Sequence, residues 1–131
     1  MIVVDASAAL EVLLGGPAAN ALVARFLAPA QAIHAPHLID LEIAQGLRRH
    51  VQAGIMAVQS ADVALETWRR LPIRRWGHEA LLRRTWALRA NLTAYDAAYV
   101  ALAEALDAVL VTTDAKIGRA PGHSARVEVV A

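Results

Sequence analysis

The chain of 131 residues contains no cysteine. This absence excludes disulfides, zinc–thiolate centres and cysteine nucleophiles, so any bound metal must be held by oxygen or imidazole. The five histidines, His34, His37, His50, His78 and His123, show no metal-ligand spacing such as His-Glu-x-x-His. We therefore assign them no role, and oxygen ligands remain.

Long uncharged apolar segments are also absent. Hydrophobic residues make up 57% of the chain and the mean hydropathy is +0.40. However, Arg, Asp, Glu or His interrupts every stretch that approaches the roughly 18 residues a membrane-spanning helix needs. Residues 1–5 have no basic region before their apolar residues and do not resemble a signal peptide. We expect a protein that lies in the cytoplasm and does not bind a membrane.

No proline-, glycine- or serine-rich linker and no charged run divides the chain. Because its length is that of one ordinary domain, we expect a single domain over residues 1–131. The apolar fraction is enough for a hydrophobic core and leaves apolar surface for a partner.

Positive charge is unevenly distributed although the net charge is only +1. Seven arginines lie in one stretch where Glu79 is the only acid: Arg69, Arg70, Arg74, Arg75, Arg83, Arg84 and Arg89. Planar guanidinium groups suit bidentate contacts with phosphate or carboxylate. The stretch is either a solvated helix face or a surface that binds nucleic acid or another protein.

Short apolar segments alternate with segments of helical periodicity. We predict strands at residues 2–4, 32–34, 72–74, 108–113 and 126–130. We predict helices at residues 8–14, 20–27, 38–51, 62–71, 78–90 and 93–106, and a loop at 114–123. This alternation predicts an α/β fold in three layers, with a mainly parallel central sheet of four to five strands flanked by helices.

Two acids follow predicted strands directly. Asp5 follows the first strand and Asp114 follows the apolar strand at residues 108–113. In open parallel sheets, ligands bind outside the carboxyl ends of the strands, so both positions favour a functional site. Each acid also has a structural interpretation, since Asp5 could cap the next helix and Asp114 could open a turn.

Two further acids lie at the boundary of the predicted core. Glu42 stands beside an apolar helical stripe, and its structural alternative is a salt bridge to Arg48 or Arg49. Asp96 begins the very apolar helix at residues 93–106, and its alternative is a capping box with Thr93.

Four carboxylates gathered in one place repel one another. At an effective dielectric constant of about 20, two carboxylates about 5 Å apart repel by roughly 3 kcal/mol. A divalent cation removes that repulsion, and oxygen ligands favour magnesium or manganese. Such an ion activates water and neutralises a phosphodiester, so the site predicts phosphoryl hydrolysis.

Four segments that contain the acids stand in a characteristic order: Ile-Val-Val-Asp-Ala-Ser-Ala at 2–8, Leu-Ile-Asp-Leu-Glu-Ile at 38–43, Leu-Thr-Ala-Tyr-Asp-Ala-Ala-Tyr-Val-Ala-Leu-Ala at 92–103 and Leu-Val-Thr-Thr-Asp at 110–114. In these segments the chain resembles the PIN-domain ribonucleases, and in size and layout it resembles the VapC-type toxins of toxin–antitoxin pairs.

The resemblance implies a PIN-like fold and a metal-dependent ribonuclease. It implies that Asp5, Glu42, Asp96 and Asp114 bind Mg²⁺ or Mn²⁺ and carry catalysis, with the hydroxyls of Ser7 and Thr112 in support. It also implies an RNA substrate, a homodimer and an inhibitory antitoxin protein. One departure is Lys116, because many relatives carry a further acid at that position, which weakens the case for a second metal ion.

Two other functions are compatible with parts of the pattern. A catalytically inactive PIN-like module would bind RNA or protein without cleaving RNA, although the intact acids argue against it. A phosphorylatable receiver domain would need an acceptor Asp on a middle strand, and the segment at 72–74 has none. The tryptophans Trp68, Trp76 and Trp86 either pack in a core or interface, or stack on bases.

Overall fold

The computed structural model describes all 131 residues and is organised around one parallel sheet. The strands are β1 (Ile2–Val4), β2 (Ile33–Pro36), β3 (Ile73–Trp76), β4 (Val109–Thr112) and β5 (Val127–Val129). Their order across the sheet is β3-β2-β1-β4-β5, and every pairing is parallel. The predicted α/β fold with a parallel sheet of four to five strands is confirmed.

Seven helices flank the sheet. They are α1 (Ala6–Leu14), α2 (Ala19–Phe26), α3 (Ile39–Gln52), α4 (Val58–Arg70), α5 (Leu82–Ala87), α6 (Ala94–Leu106) and α7 (Ala115–Arg119). Helices α1 to α4 pack against one another, whereas α5 packs on α6 and α6 packs on β1, β2 and β4. No single helix has the length and hydropathy to cross a membrane; α1 and α2 meet those criteria only together, and they lie at 114° to each other.

The direction of the chain across the sheet reverses at β1. The chain runs outward from β1 to β2 and β3, then returns to β4 on the other side of β1 and continues to β5. Ile2 pairs with Ile33 on one side and with Val109 on the other. The carboxyl ends of β1 and β4 therefore border a topological switch point, where a crevice forms in parallel α/β sheets.

The hydrophobic core continues through the sheet into α6. All three residues of β1 are buried, as the apolar sequence predicts. Helix α6 buries seven consecutive residues, 97–103, so apolar side chains are covered around its whole circumference. This explains why its hydrophobic pattern has no polar face, and it places the start of α6 at the mouth of the core.

The predicted continuous helix at residues 78–90 is wrong. The segment forms a 3₁₀ turn at Glu79–Leu81, then α5, and ends in turns. Its start lacks a side-chain cap, because the His78 ring accepts a hydrogen bond from the backbone N–H of Leu38 instead. This contact ties the segment to the start of α3, and a longer regular helix does not form.

The predicted loop at residues 114–123 is wrong in its first half. Residues 115–119 form α7, and Asp114 is the N-cap whose Oδ1 accepts from the backbone N–H of Lys116. Gly118 and Pro121 favour a loop in the sequence, but the N-cap and the burial of Ile117 stabilise a short helix. The remaining helix and strand ends differ from the predictions by at most four residues.

Candidate active site

Asp5 is the most strongly held of the four predicted acids. It follows β1, and only 4% of it is exposed. Its Oδ1 accepts from the backbone N–H of Ala8 at 3.1 Å and from Ser7 Oγ at 2.7 Å, while Oδ2 accepts from Thr112 Oγ1 at 2.6 Å. Asp5 does cap α1, but capping accounts for one of its three hydrogen bonds.

The two hydroxyls beside Asp5 are themselves oriented by the backbone. Ser7 Oγ accepts from the N–H of Thr113 at 3.1 Å, and Thr112 Oγ1 accepts from the N–H of Asp114 at 2.9 Å. Each hydroxyl oxygen accepts one hydrogen bond from the backbone, and its O–H group donates a hydrogen bond to Asp5. The arrangement links the end of β1 to the end of β4 through side chains, at the switch point of the sheet.

Glu42 projects from α3 towards α6. Its Oε1 accepts a 2.5 Å hydrogen bond from the phenolic hydroxyl of Tyr99, and it forms no salt bridge with Arg48 or Arg49. The structural alternative for Glu42 is therefore wrong. Sequence reasoning missed Tyr99, although a tyrosine inside a wholly apolar helix needs a partner for its hydroxyl.

Asp96 and Asp114 stand at the starts of α6 and α7. Thr93 caps α6, and its Oγ1 accepts from the backbone N–H of Asp96 at 3.2 Å. No reciprocal bond joins the Asp96 carboxylate to the backbone of Thr93, so the capping box is only half formed. Asp114 does open a turn as its alternative interpretation predicts, and that turn is the first of α7.

The carboxylates influence one another electrostatically. Burial raises the pKa of Asp5, and the nearby charge of Asp96 adds to this rise against hydrogen bonds from Thr112 and Ser7. Burial likewise raises the pKa of Glu42, and the charges of Asp96 and Asp5 raise it further.

Electrostatic repulsion also acts between Asp96 and Asp114. Burial raises the pKa of Asp96, and the charge of Asp114 adds to the rise, whereas Lys116 lowers it. Burial and the Glu42 carboxylate raise the pKa of the Tyr99 phenol, so it remains a protonated donor. The fold thus brings Asp5, Glu42, Asp96 and Asp114 within electrostatic reach as a chain of like charges.

The residues present fit a hard divalent cation by their chemistry. All four predicted ligands are carboxylates, and a carboxylate has about four lone-pair sites, of which Asp5 uses three and Glu42 one. Burial is the main cause of the raised pKa values of Asp5, Glu42 and Asp96, repulsion between the acids adds to it, and a bound cation would favour their charged forms. No group of three histidine, aspartate or glutamate side chains is already arranged around a common metal position.

Comparison with known proteins identifies the family of this chain. The PIN domain pattern matches residues 2–122. The chain belongs to the PIN-domain family. The matched range includes all four acids and both supporting hydroxyls, so the family resemblance seen in the sequence is confirmed.

Two curated relatives of this PIN domain are named VapC ribonucleases. The chain is 51% identical to ribonuclease VapC9 of Mycobacterium tuberculosis over 117 residues, which cover 89% of this chain and 88% of the relative. It is 40% identical to ribonuclease VapC12 of the same organism over 131 residues, with full coverage of both chains.

A solved structure has the same fold. The crystal structure of VapBC2 from Rickettsia felis, bound to a DNA fragment from its promoter, matches with a TM-score of 0.75 over the whole of both chains. Sequence identity is 16%, so this likeness establishes the fold alone.

The tryptophans of this PIN domain differ in environment. Trp68 is buried and its Nε1 donates to Asp40 at 2.7 Å, while Trp76 Nε1 donates to His34 Nδ1 at 3.0 Å. Trp86 is 68% exposed and lies under the guanidinium of Arg89. The core-packing interpretation therefore holds for Trp68, and Trp86 remains available to a partner.

Part of the arginine-rich stretch has structural roles that the sequence did not reveal. Arg75 forms a salt bridge with Asp40 at 2.8 Å, and Arg84 pairs with Glu104 at the same distance. Burial opposes ionisation of Asp40, but hydrogen bonds from Arg75 and Trp68 hold its pKa below the ordinary value. The stretch is therefore not a uniform basic surface.

Proposed function

We infer that this PIN domain is an endoribonuclease of the VapC type, the toxin of a toxin–antitoxin pair. The observation that carries this inference is the Asp5 carboxylate, fixed between the ends of β1 and β4 with Glu42 and Asp96 in electrostatic reach, while Asp114 in turn interacts with Asp96. The identity of 51% to a VapC ribonuclease supports the same activity.

We propose that Asp5, Glu42, Asp96 and Asp114 hold Mg²⁺ or Mn²⁺ and are the catalytic carboxylates. A bound divalent cation supplies charge neutralisation for the phosphodiester and lowers the pKa of water. Ser7 and Thr112 orient Asp5, and Tyr99 orients Glu42, so these residues set the positions of two ligands. Asp96 and Asp114 are anchored only through the helix starts from which they project.

The reaction is hydrolysis of an RNA phosphodiester bond. Water adds to phosphorus, one phosphorus–oxygen bond to a ribose breaks, and a proton ends on the released ribose oxygen. The protein contributes positioning, because the ends of β1 and β4 and the helices α3 and α6 hold the acids before substrate binds.

We further propose partners and location that agree with this activity. RNA is the substrate, and a cognate antitoxin protein inhibits the enzyme by covering the acidic site. Residues 1–131 act as one domain, and two chains form a homodimer in the cytoplasm. The exposed side chains of Leu82 and Trp86 on α5 support the homodimer, since they are 62% and 68% exposed.

RNA cleavage by the purified protein tests the proposed function. We expect new RNA ends from total cellular RNA in the presence of manganese, none with chelator, and none with Asp96→Asn at any manganese concentration. Cleavage that persists in Asp96→Asn protein free of contaminating nuclease would contradict the site. Binding of RNA without cleavage by the wild-type protein would support the inactive module instead.

A further inference from the structure

A groove of about 390 Å³ opens beside the carboxylates, between α1, α3 and the start of α6. We call it the α3 groove. Ser7 and Glu42 lie along it, and Arg49 and Tyr95 also line its walls. Its volume lies within the range of about 300–1,000 Å³ that small-molecule sites occupy. It has room for about one nucleotide unit beside Glu42, the one proposed metal ligand that lines it.

Helix α3 presents three polar side chains to this groove in sequence. Glu42, Gln45 and Arg49 are spaced by three and four residues, so they lie on one face of the helix. At 1.5 Å per residue, Arg49 lies about 10 Å along the axis from Glu42. Neither Gln45 nor Arg49 forms a hydrogen bond or an ion pair through its side chain. Both are exposed and free to bind a ligand.

An aromatic ring borders the same groove. Tyr95 immediately precedes Asp96 in α6, it is 66% exposed, and its hydroxyl makes no hydrogen bond. An exposed aromatic side chain with no partner is a surface on which an unpaired base stacks. Tyr95 lines the same groove as Glu42, so this surface lies near one of the proposed metal ligands.

Helices α1 and α3 pack against each other at Gly46, beside the groove. A Cβ atom at this position would lie 2.5 Å from Leu10 Cδ1. The missing side chain therefore permits the close packing of the two helices.

We propose that the α3 groove binds the nucleotide next to the scissile phosphate of a single-stranded RNA. In this arrangement the base stacks on Tyr95, the amide of Gln45 reads the edge of the base, and Arg49 binds the adjoining phosphate. Gln45 is then the residue that determines base preference. This proposal rests on the proposed ribonuclease function.

RNA rather than a peptide is favoured by the set of groups that meet here. A flat aromatic face, an amide with both donor and acceptor, and a free guanidinium match the base face, base edge and phosphate of one nucleotide. The groove also leads to the carboxylates, which a substrate must reach. A peptide chain would not require these three groups in that order.

Arg49 is tested by RNA binding in protein that carries Asp96→Asn, so that the RNA stays intact. We expect Arg49→Ala to weaken binding of a mixed-sequence single-stranded oligonucleotide about fivefold. It should also reduce the slope of log K against log salt by about 0.7, the contribution of one phosphate contact. Arg48→Ala is the matched control, since Arg48 faces a different groove between α3 and α4, and should change neither quantity.

Tyr95 and Gln45 are tested in the same assay and by mapping cleavage sites. Tyr95→Ala should raise Kd about tenfold, and Tyr95→Phe should restore binding because it keeps the ring. In otherwise wild-type protein, Gln45→Ala should reduce discrimination among bases at one position beside the cut by about tenfold in kcat/KM. Gln52→Ala, an exposed glutamine on the same helix that also lines the α3–α4 groove, should leave the cleavage pattern unchanged.

Equal behaviour of Arg49→Ala and Arg48→Ala, together with an unchanged cleavage pattern in Gln45→Ala, would overturn the proposal. So would variants that bind RNA normally but fail to capture a co-expressed antitoxin, because the groove would then be a peptide site. These results leave the ribonuclease function intact if the wild-type protein cleaves RNA. If the wild-type protein cleaves no RNA but the groove variants change RNA binding as expected, the ribonuclease function is contradicted and the binding site is not.

Discussion

The phenolic hydroxyl of Tyr99 donates a hydrogen bond to Oε1 of Glu42 and so joins α6 to α3 across the candidate active site. Tyr99 is almost fully buried, and burial together with the Glu42 carboxylate raises the pKa of its phenol. The hydroxyl is therefore protonated at neutral pH and acts as the hydrogen-bond donor. It fixes a proposed metal ligand that otherwise projects from a half-exposed position on α3.

Tyr99→Phe should impair metal binding more than it impairs folding. Loss of one hydrogen bond costs about 1 kcal/mol of unfolding free energy, since the freed Glu42 oxygen reaches water. The manganese concentration for half-maximal RNA cleavage should rise about tenfold. A manganese titration of cleavage measures this, and Tyr95→Phe, which loses a hydroxyl without a partner, is the control.

Asp96→Asn should stabilise the metal-free protein at neutral pH. The substitution removes a charge that repels Asp5, Glu42 and Asp114, and Thr93 still caps α6. The pKa of Asp96 is raised in the folded state. Its contribution to the free energy of unfolding is therefore complete below pH 3.8, its ordinary pKa, and is lost as the pH rises through the pKa of the folded state. The extra unfolding free energy of Asp96→Asn over wild type should therefore appear as the pH rises and vanish below pH 3.8. Denaturant unfolding across pH checks the sign.

Asp5→Asn should behave differently, although both variants should lose RNA cleavage. An amide at position 5 turns an N–H₂ group towards a hydroxyl that now donates to Asp5, from Ser7 or Thr112. We expect a cost of about 1–2 kcal/mol that offsets the gain from lost repulsion. Unfolding free energies of the two variants in chelator should rank Asp96→Asn above Asp5→Asn. The reverse order would show that the hydroxyls do not direct protons to Asp5.

Manganese or magnesium should raise the melting temperature of the wild-type protein. A cation that binds only the folded state adds about 2.7 kcal/mol at a hundred times its Kd. Asp96→Asn protein should lose most of this response because a ligand is gone. Thermal unfolding with increasing metal measures both, and an equal rise in the two proteins would contradict the ligand set.

Glu104→Gln should destabilise the protein in a pH window set by Glu104 itself. Hydrogen bonds from Arg84, with others from Ser124, lower the pKa of Glu104 from 4.5 to about 2. The contribution of the ionised Glu104 to the unfolding free energy is complete above pH 4.5 and is lost as the pH falls towards 2. The stability difference from wild type should shrink over that interval. Glu66→Gln is the control, since the exposed Arg69–Glu66 pair should contribute little.

Trp86→Ser should shift the protein from dimer to monomer. Trp86 and Leu82 are exposed one turn apart on α5, and an aromatic anchor of this kind supplies much of the free energy of an interface. Light scattering should give twice the 14.0 kDa chain mass for wild type and the single mass for the variant. Val63→Ser, a change at a similarly exposed apolar residue on α4, should leave the mass unchanged.

The sequence by itself determined the layers of the fold and the identity of the candidate acids. Short, continuously apolar segments predict β1 and β4, and the apolar stretch at residues 97–103 predicts that α6 is a buried helix. Asp5 and Asp114 are recognisable because acids directly after buried strands come to one edge of a parallel sheet. These inferences depend on local pattern, which a chain carries in its residue order.

The tertiary structure decided which partner each acid has. The contacts of Glu42 with Tyr99 and of Asp5 with Thr112 join residues 57 and 107 positions apart. No local pattern encodes them, although the family resemblance implies a supporting role for Thr112. The same holds for the break at α5, where His78 bonds to Leu38 rather than capping its own helix. Short polar segments have several local conformations of similar free energy, and long-range hydrogen bonds and burial select among them.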